Sequence, residues 1–403
     1  MSARLLIDVS QFASHPVPTG IQRTLFFLAR HWPSGRLSAD TGFRLPGSDL
    51  YTIAPMEAFE SAIEQVFQVQ QQGTLGALEV SRQVCGHLAD NATASIAPRD
   101  IPDEYEGYLL PEPTFYDHVL DAMEFCAAQM GSRCLAIVYD AIPQTHPHFY
   151  PGPHTGATDR YYISLGKLES LGFISAASLR IFEDRFRRSP VPNPVVIPLG
   201  ADTLGRETNP VPVAPGFVVP GTVEPRKKHQ MILGAFEQLW NENHDISLNF
   251  LGVSGWDSPR SIEGFRQYAK KQELFTWNDM VTDTAMRDAM RSASGVIYVS
   301  ELEGYGLPPL EALALGCPVI VSDGLPSLEG LDQDGQLRLP EVSEESIASA
   351  VLQHAEPETN GGFRRAIGNL DLPGWESAVS TLAAWAENAL GGSTTENKEK
   401  SND

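Results

Sequence analysis

Short runs of apolar and β-branched residues alternate with stretches of helical period along this chain, and the alternation occurs twice. Strands are expected at residues 5–9, 107–110, 134–139, 173–176 and 195–199, with helices at 21–31, 115–130 and 177–186. A helix between two strands carries the chain back across the sheet, so the strands run parallel and helices cover both faces. Residues 204–215 hold three prolines and few core-forming side chains, and they interrupt the pattern. Beyond them strands are expected at 217–219, 247–251, 295–299 and 318–322, with helices at 229–241, 284–291, 309–315, 344–354 and 375–390. The expected organisation is therefore α/β with two Rossmann-like, doubly wound domains over 1–205 and 206–372. A further helix at 373–390 and a polar tail at 391–403, expected to be disordered, follow. Residues 35–105 carry weaker periodicity, and no element is assigned there.

Open parallel sheets bind ligands outside the carboxyl ends of their strands, so residues just after each strand carry the functional information. The densest group there begins at Ser300. Glu303, Gly304, Tyr305, Gly306 and Leu307 form a glycine loop, Pro308 and Pro309 open a helix, and Glu311 is expected in its first turn. The positive end of such a helix suits a diphosphate. A carboxylate accepts two hydrogen bonds from a vicinal diol, which fits Glu311 on a ribose and Glu303 on the hydroxyls of a transferred sugar. Either acid alone reads equally well as a partner of the helix dipole; the two together with the glycines and prolines favour a ligand site.

A second group runs from Gly221 and Thr222 through Glu224 and Pro225 to Arg226, Lys227, Lys228 and His229. The chain has 29 basic against 51 acidic residues and a formal net charge of -22, which argues against nucleic acid as a partner. Three consecutive cations in such a chain are suited to neutralising a departing diphosphate, although a solvated turn accounts for them equally well before their position is considered. In the first domain Thr19 and Gly20 cap the first long helix beside the sheet edge. Asp140, after the strand at 134–139, is a candidate to orient an acceptor hydroxyl with help from His146 or His148, and otherwise caps a turn. A metal site at His146, His148 and His154 is improbable because prolines and glycines interrupt the spacing and no carboxylate or thiolate joins it.

Four cysteines, Cys85, Cys126, Cys134 and Cys317, form no Cys-x-x-Cys pair and read as buried thiols of a reducing compartment. The first apolar run is one strand long and ends in Asp8, unlike a signal peptide, so a cytoplasmic location is expected. Arg185, Arg187 and Arg188 offer at most a weak peripheral contact with an anionic membrane, and a solvated loop is the plainer reading. The chain has no Gly-x-Ser-x-Gly elbow, no P-loop and no Gly-x-Gly-x-x-Gly after the first strand, which weakens esterase, NTPase and dehydrogenase readings.

The spacing from Glu303 to Glu311, with the Glu-Gly-Tyr-Gly-Leu-Pro run and Glu224-Pro-Arg-Lys-Lys, resembles the family 4 (group 1) glycosyltransferases. The resemblance implies the GT-B fold, two facing Rossmann-like domains with a final helix, here 373–390, crossing back to the first. It implies a metal-independent, cofactor-free transfer that retains anomeric configuration, from a nucleoside diphosphate sugar to a saccharide or lipid-linked saccharide. Hexosyl transfer, with mannose as the best guess, in surface polysaccharide biosynthesis is the expected function. By position the resemblance gives Arg226 and Lys227 the diphosphate, Glu311 the ribose, Glu303 the donor sugar, Gly304 to Leu307 backbone amides, and Gly20 the glycine loop of the first domain. Gly221 and Thr222 flank the donor, where many members carry Arg at the place of Thr222. Tyr139 stands where many carry His, which leaves the part of Asp140 open. The alternative is a non-catalytic relative that binds sugar nucleotides.

Overall fold

The computed structural model describes residues 3–17, 19–35, 37–72, 77–150, 156–207 and 216–391. His154, the proline segment at 208–215 and the polar tail after Gly391 lie outside them. The chain divides into two compact units, one of Met1–Gln144, His154–Leu199 and Trp375–Asp403, the other of Thr145–Pro153 and Gly200–Gly374.

The first unit holds an eight-stranded sheet of β1 (Ala3–Asp8), β2 (Leu37–Phe43), β3 (Tyr51–Pro55), β4 (Ala94–Ile96), β5 (Gly107–Leu110), β6 (Cys134–Val138), β7 (Ser170–Phe173) and β8 (Asn193–Val196). Their spatial order is β4-β3-β2-β1-β5-β6-β7-β8. Every residue of β5, β6 and β7 is buried, as strands covered by helices on both faces require. The sheet is not wholly parallel: β2 pairs with β3, and β3 with β4, antiparallel. The link from Phe43 to Tyr51 is too short for a parallel crossover, which takes a dozen or more residues. These strands fall in the stretch where the periodicity was weak. The strand expected at 173–176 is displaced to Ser170–Phe173, because Ser175 is the N-cap of the helix Ala176–Phe186.

The helix Trp375–Gly391 belongs to this unit. Trp375 stacks on Phe27 at 4.5 Å, and Trp385 donates to the Asn193 carbonyl at 3.3 Å. Leu390 lies against Gly107, where a Cβ would stand 2.7 Å from its methyl. Arg187 donates to the carbonyls of Gly166, Leu168 and Ser189, so it staples a turn and is not a free surface charge. Cys126, Cys134 and Cys317 are buried free thiols, whereas Cys85 is only half-buried.

The second unit holds a parallel sheet of β9 (Gly216–Pro220), β10 (Ser247–Leu251), β11 (Phe275–Asn278), β12 (Gly295–Tyr298), β13 (Val319–Ser322) and β14 (Gln336–Leu339), ordered β11-β10-β9-β12-β13-β14. Phe217, Phe236, Phe250 and Phe275 anchor its core. In this unit Trp256 donates to the Phe149 carbonyl at 2.7 Å and stacks on Tyr150.

Both sheets reverse direction of winding at one place. The chain leaves β1 toward β2 and returns to build from β5, and it leaves β9 toward β10 and returns to build from β12. Such reversals open a crevice beyond the strand ends where α/β sheets bind ligands.

Candidate active site

The reversal of the second sheet places the loop after β9 beside the loop after β12. Gly221, at φ 106°, turns the chain out of β9 while its N–H donates to the Leu251 carbonyl at 2.8 Å. Val223 then exchanges backbone hydrogen bonds with Val253 and Gly255, which locks the loop to the one after β10. A short 3-10 turn, Pro225–Lys227, follows, and Lys228 in the left-handed region starts the helix His229–Asn241. From the other side, the Glu301 N–H donates to the Arg226 carbonyl at 2.8 Å. The Ser322 hydroxyl fixes the Ser300 carbonyl at 2.6 Å.

Four charged side chains converge on this junction. Arg226 places Nη1 2.5 Å from Glu303 Oε1 and Nη2 2.6 Å from Glu224 Oε1. The same Glu224 oxygen lies 3.4 Å from Lys227 Nζ. Arg226 Nη1 also donates to the Leu302 carbonyl, and the Tyr298 hydroxyl donates to Glu303 Oε1 at 2.6 Å. Lys227 Nζ stands 5.7 Å from the Tyr298 ring centre, within cation–π range, and against Gly221, where a Cβ would be 2.7 Å from it. Lys228 turns away to Glu301 at 3.6 Å.

These groups are shielded, with side-chain exposures of 14% for Arg226, 11% for Lys227, 8% for Glu303 and 2% for Glu224. Burial pushes the Glu303 carboxyl up, but Arg226 and Lys227 outweigh it and hold it below its ordinary value. Burial pulls the Arg226 guanidinium down, and Glu303 and Glu224 together raise it above its ordinary value. Burial and then the Glu303 charge raise the Tyr298 hydroxyl, which keeps it a donor. His229 is fully buried and pushed down to about 3 by burial and by Lys227, so it is a neutral core residue.

The helix after the glycine loop runs Leu307–Ala314 with Gly306, at φ 92°, as its N-cap. Glu311 therefore sits past the first turn and not within it, buried at 8% exposure. Pro308 and Pro309 carry no N–H, so Leu307 is the only one of the first three helical residues with a backbone donor. Gly304 and Tyr305 are buried in the preceding loop, and the Tyr305 carbonyl accepts from Ser327 N at 2.9 Å. Thr222 lies half-buried beside Gly255.

Gly20 and Asp140 lie in the first unit. Thr19 caps the helix Gly20–His31 by accepting from Gln22 N. Gly20 has open space around it, with nothing within 4 Å of a built Cβ and no left-handed φ. Asp140 Oδ1 accepts the Ile142 N–H at 2.9 Å, which is the turn-capping geometry. The Tyr139 ring is buried with its hydroxyl on the Pro111 carbonyl, so it presents no polar group there.

Two chemistry-bearing residues at the two reversals, Tyr298 and Glu112, escape motif reading, and Glu224 enters it only as part of the cation run, with no role of its own. Glu224 holds the cations and Tyr298 holds Glu303, and only the position of Tyr298 beside a strand end could have singled it out. Glu112, after β5, is 2% exposed and accepts the Phe12 N–H at 2.7 Å across the first reversal. Burial pushes its carboxyl up to about 8 despite the Phe12 and Gln22 hydrogen bonds. Asp8 across from it accepts from Ser10 N and from the Tyr51 and Tyr108 hydroxyls.

Residues 209–360 match the family described as glycosyl transferases group 1. The match covers 152 of the 403 residues. The glycine loop, the cation turn and both acids of the Glu303 to Glu311 spacing fall inside that match. Among curated relatives, a serotype-specific mannosyltransferase WbdA of Escherichia coli is 27% identical over 373 residues, covering 86% of this chain and 41% of its own. The chain thus spans less than half the length of that relative. An O-antigen chain mannosyltransferase B of Escherichia coli is 28% identical over 142 residues, 34% of this chain and 36% of its own. Among solved structures, Anabaena HepE in complex with UDP and glucose has a TM-score of 0.62 at 14% identity, covering 95% of this chain and 99% of its own. Sucrose-phosphate synthase from Thermosynechococcus elongatus has a TM-score of 0.59 at 13% identity, over 97% and 100%. These likenesses show that the fold of the chain is GT-B. No helix among its described residues is long and apolar enough to cross a membrane.

Proposed function

We propose that the chain is a retaining, metal-independent family 4 hexosyltransferase that moves a mannosyl unit from a nucleoside diphosphate sugar to a saccharide or lipid-linked saccharide. The observation that carries this reading is the convergence of Arg226, Lys227 and Glu303 at the reversal of the second sheet, in a chain of formal net charge -22. Two shielded cations there are suited to charge building on a departing diphosphate, where preorganised charge in a water-poor site has its largest effect. Glu303, held ionised, is a pure acceptor for sugar hydroxyls, and Glu311 for the ribose diol. The backbone donors of Gly304 to Leu307 lie toward the same ligand, and Gly221 and Thr222 border it. The second unit then acts as donor domain and the first, with Gly20 and Asp140, as the acceptor side. The leaving phosphate takes the acceptor proton as the new glycosidic bond forms.

The mannosyltransferase relatives support mannose and surface polysaccharide assembly, and a UDP-binding neighbour supports a nucleoside diphosphate donor. A cytoplasmic site of action fits a sugar-nucleotide donor. The test incubates the protein with GDP-mannose and UDP-hexoses in the presence of EDTA, with a mannose-bearing acceptor. Release of nucleoside diphosphate and an axial new linkage by NMR are expected. Tight binding of donor without turnover on any acceptor would replace the enzyme with a sugar-nucleotide binding protein, and an EDTA-abolished activity would overturn metal independence.

A further inference from the structure

Arg226 and Lys227 are neighbours with long, mutually repelling side chains, and a diphosphate site needs both heads on one ligand. Glu224 supplies what holds them. Its extended backbone points the carboxylate inward, and one oxygen, Oε1, meets Arg226 Nη2 at 2.6 Å and Lys227 Nζ at 3.4 Å. The other oxygen, Oε2, is buried without a hydrogen-bond partner among the described groups. A carboxylate at 2% exposure with half its acceptor capacity unused is expensive to keep, and the cations it holds are what offset that cost.

We propose that Glu224 is the positioning residue of the donor site, fixing Arg226 and Lys227 as one unit. The inference rests on the functional reading above. Arg226 is held on two sides, with Nη2 on Glu224 and Nη1 on Glu303 and the Leu302 carbonyl. A diphosphate that takes Nη1 from Glu303 leaves Nη2 on Glu224, so the guanidinium keeps its plane while Glu303 is released toward the sugar. The charge balance agrees: Glu224 and Glu303 offset the two cations, and an incoming diphosphate would replace Glu303 only. The Glu224 partnership is the one that need not break.

The experiment measures binding of UDP and GDP by calorimetry, and donor turnover, in the wild type, in Glu224→Gln, in Glu224→Asp, and in Arg226→Ala/Lys227→Ala with and without Glu224→Gln. Thermal unfolding of each checks that it is folded. Glu224→Gln is expected to weaken nucleoside diphosphate binding at least tenfold and to lower kcat, and Glu224→Asp, which keeps the charge, to weaken it three- to fivefold. In the Arg226→Ala/Lys227→Ala background Glu224→Gln should add less than twofold, since Glu224 then has nothing to position. Wild-type or tighter binding in Glu224→Gln overturns the proposal, as does an equal further loss in the double background. Should Glu224→Gln not fold, the aspartate variant decides, a loss supporting the assignment and wild-type affinity overturning it. A wild type that binds neither nucleotide would instead sink the functional reading itself.

Discussion

Arg226 Nη1 lies 2.5 Å from Glu303 Oε1, and both side chains are shielded from solvent. A shielded ion pair contributes little net stability, yet removing one partner strands the other, at a cost of about 3–5 kcal/mol. Arg226→Ala, which strands both Glu303 and Glu224, should therefore destabilise the fold by about that much, and Glu303→Gln by less, since Arg226 keeps Glu224. Both should lose donor turnover. Urea midpoints and donor hydrolysis check the two halves separately. A single variant as stable as the wild type would mean the pair is loose in solution.

Tyr298 donates to the Glu303 oxygen that Arg226 holds, at 2.6 Å. Tyr298→Phe leaves the ion pair and removes one orienting hydrogen bond, so stability should fall by only about 1 kcal/mol. If Glu303 must present a defined oxygen to the sugar, kcat should fall about tenfold while the affinity for free GDP or UDP stays near wild type. Equal losses in kcat and nucleotide affinity would assign Tyr298 to the phosphate end instead.

Glu112 gives the protein a pH-dependent stability. Its carboxyl is raised from 4.5 to about 8, so the folded state binds the proton more tightly than the unfolded chain. The stabilisation is then full below pH 4.5 and is lost as pH rises through about 8. A rise of that size corresponds to at most about 5 kcal/mol. Glu112→Gln keeps an acceptor for the Phe12 N–H and has no proton to lose, so its stability should change less between pH 6 and 9. It should also exceed the wild type at pH 9. Parallel slopes for the two proteins, from urea midpoints at each pH, would place the titration on another group.

The doubled α/β plan was legible because helical and strand periods differ and proline punctuates the chain. Helix His229–Asn241 begins and ends where its pattern does, since its buried face repeats without a break. β2, β3 and β4 were not legible. They form an antiparallel edge whose strands are half-buried or short, and Ala94–Ile96 has no fully buried residue to mark it. At the site, Gly306 and the prolines announced a loop and a helix start, but the helix begins at Leu307 and not at Pro309, which carries Glu311 past the first turn where the spacing put it. Tyr298 gave no motif, and the motif that contains Glu224 gave it no role, because both act on other side chains. Such contacts exist only once β9 and β12 lie side by side.

Gly20 differs from Gly221 in what the fold requires of it. At Gly221 the fold itself requires glycine, with φ at 106° and the Lys227 amine 2.7 Å from a built Cβ. At Gly20 neither condition holds, since the backbone is helical and nothing lies within 4 Å. Alanine there should leave stability unchanged or raise it by about 0.4–1 kcal/mol, because it restricts the unfolded chain at no steric cost. If a phosphate or sugar approaches that backbone closely, the added methyl should still lower donor turnover by about tenfold. Unfolding midpoints and steady-state rates of Gly20→Ala measure the two effects in one protein. A variant that is both stable and fully active would remove Gly20 from the site.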